Sequence, residues 1–138
     1  MSWLLDTNVL SELRKGHRGA PAVRRWFAAH SNEEHFTSVL VLGEIRRGIE
    51  SKRRRDPEGG AALDAWASRL EADFGSRILQ IDFVVADRWG RLDVPDPLPA
   101  VDGLLAATAL VHDLVVVTRN VRDFERAGVR VADPFAER

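Results

Sequence analysis

Short apolar runs alternate along this chain with stretches of helical periodicity, and that alternation predicts a parallel sheet wrapped by helices. Trp3-Leu4-Leu5 is apolar and stops at the polar triplet Asp6-Thr7-Asn8, which suits a turn and a helix cap. The reading is a strand feeding a helix over about Val9–Lys15 that ends near Gly16, followed after Pro21 by a helix burying Val23, Trp26 and Phe27. His35–Val39, with β-branched and aromatic residues, predicts a second strand, and Leu42, Ile45 and Ile49 continue it as a helix carrying Glu44.

Asp56-Pro57-Glu58-Gly59-Gly60 predicts a loop by its Pro and Gly content, after which Leu63, Trp66, Leu70 and Phe74 repeat at helical intervals. Arg77–Asp82 reads as a third strand, and Val85 and Trp89 set a helix to about Leu92. Pro95, Pro97 and Pro99 each remove a backbone donor, so residues 94–99 are a connection. Asp102-Gly103 opens an apolar helix through Leu105, Ala109 and Val111; Leu114–Thr118 is a buried strand, and Val129–Val131 a last short edge strand. The expected fold is a three-layer α/β/α domain over residues 1–138, with a central, mainly parallel sheet of four to five strands.

Composition narrows the chemistry. Apolar residues make up 45% of the chain and charged ones 30%, too hydrophobic a balance for a disordered segment. Without cysteine there is no disulfide framework, thiolate zinc site or thiol nucleophile, so any metal must be held by oxygen or imidazole, which favours hard cations. His17, His30, His35 and His112 lack metal-ligand spacing and read as surface or packing residues. No basic-then-apolar leader opens the chain and no apolar run is long enough to span a membrane, so a cytoplasmic protein with no membrane partner is expected. The net charge of −1 conceals a basic run, Arg46, Arg47 and Lys52 to Arg55, readable equally as a solvated helix end or as a surface for phosphate.

Ligands of parallel α/β sheets bind outside the carboxyl ends of the strands. Asp6, Glu44, Asp102 and the segment Asn120–Asp123 all fall at such places, so several acids would meet at one sheet edge. Taken singly, each has an ordinary explanation: Asp6 and Asp102 as helix caps, Glu44 as a partner of Arg47 at i+3, Asp123 as a turn residue. Taken together they repel one another, and a divalent cation is the natural compensation. Mg²⁺ or Mn²⁺ takes oxygen ligands, keeps waters and accepts a phosphate, which points to phosphodiester hydrolysis.

Leu5-Asp6-Thr7-Asn8-Val9-Leu10-Ser11-Glu12, then Ser38-Val39 followed by Gly43-Glu44-Ile45 and Gly48, then Asp102-Gly103-Leu104-Leu105-Ala106-Ala107-Thr108-Ala109, and finally Val117-Thr118-Arg119-Asn120 with Asp123-Phe124 stand in order along nearly the whole chain. This succession resembles the motifs of PIN-domain ribonucleases, more narrowly the VapC- and FitB-like toxins of bacterial toxin–antitoxin pairs. The resemblance implies a PIN fold, Mg²⁺- or Mn²⁺-dependent cleavage of RNA such as tRNA or rRNA, and homodimers. It also implies inhibition by a cognate VapB-like antitoxin whose C-terminal segment lies across the groove, in a hetero-oligomer that binds operator DNA through the antitoxin. Carried over by position, Asp6 and Asp102 match the principal metal ligands and Glu44 the third acid, while the fourth place is divided between Asn120 and Asp123. Asn120 has an amide oxygen but no charge, which leaves a second metal ion open.

Thr7, Asn8, Ser38 and Thr118 are candidate donors to the carboxylates or to bound water, with turns and caps as the equal alternative. Arg14, Lys15, Arg46, Arg47 and Arg119 lie nearest the motifs and are the candidates for RNA phosphates. Trp26, Trp66 and Trp89 fall on helical apolar periods and read as core or subunit interface in preference to base-stacking platforms. Two other functions compete: a PIN-like module that binds RNA or protein without cleaving, suggested by Asn120, and a phosphoacceptor receiver domain. The receiver ranks last, because Arg119-Asn120 follows Val117-Thr118 where its lysine would stand.

Overall fold

The computed structural model describes residues 1–136, so the last two residues of the expected domain lie outside it. Five strands, β1 (Ser2–Leu5), β2 (Glu34–Ser38), β3 (Ile78–Leu79), β4 (Val115–Val117) and β5 (Val131–Ala132), form one sheet in the order β3-β2-β1-β4-β5. Every pairing is parallel; Trp3 lies opposite His35 on one side and Val115 on the other. All of Trp3–Leu5 and Val115–Val117 are buried, as strands covered on both faces must be.

Right-handed crossovers assign the helices to layers. The chain steps from β1 outward to β3 through α1 (Thr7–Arg14), α2 (Pro21–Ala29), α3 (Val39–Arg55) and α4 (Pro57–Phe74), which pack among themselves on one face. It then returns past β1 to β4 and β5 through α5 (Phe83–Leu92), α6 (Ala100–His112) and α7 (Val121–Arg126) on the other. The reversal of direction falls beside β1, so the crevice at its carboxyl end is the place for a ligand. In α6 the run Leu105-Ala106-Ala107 is wholly buried, its small side chains letting the helix lie close on the sheet, while Trp3 meets Trp26 edge to face at 4.8 Å on the opposite layer.

Several boundaries depart from the sequence reading. Residues 56–60 are no loop: Asp56 ends α3 and caps α4 through Gly59 N at 3.0 Å, Pro57 occupies the first helical turn, and both glycines are helical. A Cβ on Gly60 would stand 2.8 Å from Arg53 Cα, so glycine is what brings the two helices into contact there. The third strand shrinks from 77–82 to Ile78–Leu79 because Asp82 caps α5, accepting from Val85 N at 3.0 Å. Val39 belongs to α3, since Ser38 caps it through Leu40 N. Asp102 does not open its helix: α6 starts two residues earlier, at Ala100 behind Pro99, and Asp102 falls within its first turn. The last strand is Val131–Ala132, and the segment after Asn120, read as a turn, is the short helix α7. Among the described residues no helix is long and apolar enough to cross a membrane.

Candidate active site

Four segments far apart in sequence converge at the carboxyl edge of β1. Asp6 follows β1 directly and continues it, its N–H donating to Val117 O at 3.0 Å. It is 6% exposed and capped twice over. Thr7 N donates to Oδ1 at 2.8 Å, and the Thr118 hydroxyl, arriving from the end of β4, donates to Oδ2 at 2.8 Å. Burial raises the Asp6 pKa, Glu44's charge adds to the rise, and the bonds from Thr118 and Thr7 oppose it. The cap and the candidate ligand are thus one residue: the same carboxylate that starts α1 faces the acidic cluster.

Thr7 also fixes Glu44, its hydroxyl donating to Oε1 at 2.6 Å from the first turn of α1 across to α3. Asn8 donates to Thr118 Oγ1 at 3.3 Å and accepts from Arg119 N at 3.2 Å, which ties the chain after β4 to the chain after β1. Of the four donors expected around the carboxylates, Thr7, Asn8 and Thr118 are therefore in place. Ser38 is spent on capping α3 and bonds to no carboxylate among the described residues.

Asp102 stands in the first turn of α6, and burial together with the charges of Asp6, Asp123 and Glu44 pushes its pKa up to about 6. Asn120 restrains this rise: its amide donates to Asp102 Oδ2 at 3.0 Å and to Asp123 Oδ2 at 3.2 Å. Only the NH₂ edge of an amide can face two carboxylates, so in this arrangement Asn120 links the acids and its oxygen points elsewhere. Both claimants to the fourth position are in the cluster, with different roles.

The all-oxygen donor set fits a hard divalent cation, and its negative charge is offset among the described residues only by neutral donors and by Arg126, 3.6 Å from Asp123. Among the described residues no three carboxyl or imidazole groups close around a point tightly enough to enclose an ion unaided.

The cations separate into two kinds. Arg46 is held by Glu50 and Asp64, Lys15 by Glu12 at 3.0 Å, and the Arg119 guanidinium lies 3.8 Å over the Phe135 ring. Arg14 and Arg47 are exposed. Sequence reasoning did not single out Lys52 and Arg55 as site neighbours, yet both line a groove of about 560 Å³ that begins at Thr7 and Glu44 and also takes in Arg14 and Trp66. The available signal was spacing: 44, 48, 52 and 55 recur on one helical face.

A three-layer α/β protein with carboxylates gathered at the switch point of its parallel sheet is the class that fold and site define together. The chain belongs to the PIN domain family, whose match covers residues 3–129. It is 29% identical to VapC ribonuclease Y4jK of Sinorhizobium fredii over 96% of each chain, and 30% identical to Toxin FitB of Neisseria gonorrhoeae over 96% of this chain and 97% of that one. The solved structure of FitAB bound to an IR36 DNA fragment superposes with a TM-score of 0.85 at 27% identity, covering 99% of this chain and 97% of its own. These similarities support the PIN fold read from the sequence and leave no place for a receiver domain.

Proposed function

We propose that this chain is the toxin of a toxin–antitoxin pair and acts as a metal-dependent endoribonuclease. The observation that carries the proposal is the convergence of Asp6, Glu44, Asp102 and Asp123 on one crevice, where burial first and the charges of the other three acids next push the Asp102 pKa up to about 6. Relatives named as a VapC ribonuclease and as Toxin FitB support the chemistry and the biological role. The DNA-bound FitAB structure supports a cognate antitoxin partner, through which the complex reaches operator DNA.

In this reading Asp6, Glu44 and Asp102 would hold Mg²⁺ or Mn²⁺, which when bound would supply Lewis acidity for phosphodiester hydrolysis. The chain does the positioning. Thr118 and Thr7 N fix both oxygens of Asp6, the Thr7 hydroxyl fixes Glu44, and Asn120 holds Asp102 and Asp123 apart from each other's full repulsion. Water adds to phosphorus, and the ester oxygen leaves with a proton. Phe83, 82% exposed at the start of α5, gives apolar surface for a homodimer.

The test is a labelled RNA pool incubated with purified, antitoxin-free protein in Mg²⁺, Mn²⁺ or EDTA. Cleavage is expected with either metal and not with EDTA, and Asp6→Ala or Asp102→Ala abolishes it while circular dichroism stays unchanged. No cleavage by the wild type in either metal sinks the nuclease reading and favours a non-cleaving binding module.

A further inference from the structure

Three helical faces meet in the groove beside Glu44, and each is set by its spacing. Thr7, Ser11 and Arg14 form one stripe on α1; Glu44, Gly48, Lys52 and Arg55 form another on α3; Gly59, Leu63 and Trp66 form a third on α4. The groove therefore starts at the acidic crevice and runs along α3 for roughly 16 Å, eleven residues of helix rise, to the α3–α4 turn.

Its chemistry changes along the way. The near end is carboxylate, the far end is cationic, and the floor is apolar with one indole. Asp56, also on the groove wall, engages Lys52 at 3.6 Å and feels the charge of Arg55, while Arg14 and Arg55 make no hydrogen bond or close ion pair among the described residues, so the cations at this end outnumber the one acid. Trp66 differs from the chain's other tryptophans. Trp3 and Trp89 have their indole N–H groups buried and Trp26 is packed among Trp3, Phe27 and His30; Trp66, half-buried as Trp26 and Trp89 are, packs one part of its ring on the core and lines the groove with the rest. Gly48 leaves the path open: a Cβ added there would meet nothing within 4 Å.

We propose that this groove carries a single strand of RNA away from the cleaved bond, its phosphates on Arg14 and Arg55 and a base stacked on Trp66; this rests on the nuclease reading above. Charge complementarity selects a polyanion, the open part of the half-buried indole selects a ligand with π faces, and continuity with Glu44 places the strand where a scissile phosphate must enter. The basic run of α3 thereby divides by helical face. Lys52 and Arg55 turn to the groove, and Arg46 and Arg53 are consumed by Asp64 and Glu50.

The experiment measures binding of the full chain to a short fluorescent single-stranded oligoribonucleotide in EDTA, where nothing is cut. Gly48→Leu should weaken binding at least tenfold without lowering the melting temperature, because it fills the groove while replacing glycine by a better helix former. Arg14→Gln with Arg55→Gln should weaken it similarly and reduce the log–log salt slope by about 1.4, two single-strand phosphate contacts. RNA should quench tryptophan emission in the wild type and not in Trp66→Phe. Affinity unchanged in both the Gly48→Leu and the double arginine variants overturns the proposal and leaves the groove to a protein segment. Groove-dependent binding without cleavage in Mg²⁺ would defeat the nuclease reading alone, and cleavage indifferent to Gly48→Leu would defeat the strand path alone.

Discussion

Asn120 donates its amide to Asp102 at 3.0 Å, so the one neutral side chain in the acidic cluster partly relieves the acid whose charge is least favourable. Removing that donor in Asn120→Ala should raise the Asp102 pKa further above its present value of about 6, measurable by carboxyl-carbon NMR titration. Activity should fall about 10- to 100-fold, the usual cost of losing a partner that orients a metal-binding carboxylate. Asp123→Ala removes a charge where Asn120→Ala removes only a donor, so it should weaken Mg²⁺ binding more, as calorimetry would show. The opposite ranking would give the fourth position to Asn120.

The raised value of Asp102 also fixes a pH dependence. An acid with a folded-state pKa above its unfolded one keeps its proton longer in the fold, so stability is full below about 3.8 and is lost as pH rises toward about 6. Asp102→Asn should therefore melt higher than the wild type above pH 6 by about 1 kcal/mol, after discounting for its partial exposure, and equally near pH 3.5. Mg²⁺ binding should weaken below pH 6, each ion then displacing a proton. Melts whose difference is flat in pH would refute this.

Asp64 carries the opposite sign. Arg46 and Arg53 hold its carboxylate down to about 2, so the stability it adds is present above the ordinary carboxylate range and is lost as pH falls toward 2. The group is solvent-exposed, so Asp64→Asn should cost little at neutral pH and less still in high salt, as thermal melts in low and high NaCl would show.

Gly103 is the close approach between helices α5 and α6, which share one layer. A Cβ there would lie 3.0 Å from both Cδ1 and Nε1 of Trp89, one residue from Asp102. Gly103→Ala should destabilise by about 1–3 kcal/mol through overpacking, and Trp89→Leu should recover part of that loss in a double-mutant cycle. Additive effects would show that the two residues do not press on each other.

The elements that sequence placed well are those whose apolar period matches their burial, Trp3–Leu5, Val115–Val117 and the helix through Ile45 and Ile49. The misplacements share a cause. Asp56-Pro57 and Gly59-Gly60 have the local chemistry of a loop, yet Asp56 caps, Pro57 suits a first turn and Gly60 is demanded by a neighbouring backbone that no local pattern reveals. Asp82 ended a strand early for the same reason, a cap outbidding a weak extended run. Within the site, Asp6 was legible by its place directly after β1 and Asp123 by following β4, whereas Glu44 and Asp102 lie on helices and were drawn into the cluster by the succession of motifs. The division of labour between Asn120 and Asp123 was not, because it depends on which edge of an amide faces two carboxylates.

The bond from Thr118 to Asp6 joins residues 112 positions apart, and Asp102 with its partners Asn120 and Asp123 enters only in the last third of the sequence. A chain halted anywhere short of Asp102 holds Asp6 and Glu44 without the groups that complete or restrain them. During synthesis the acidic cluster is thus incomplete until Thr118, Asn120 and Asp123 have been added.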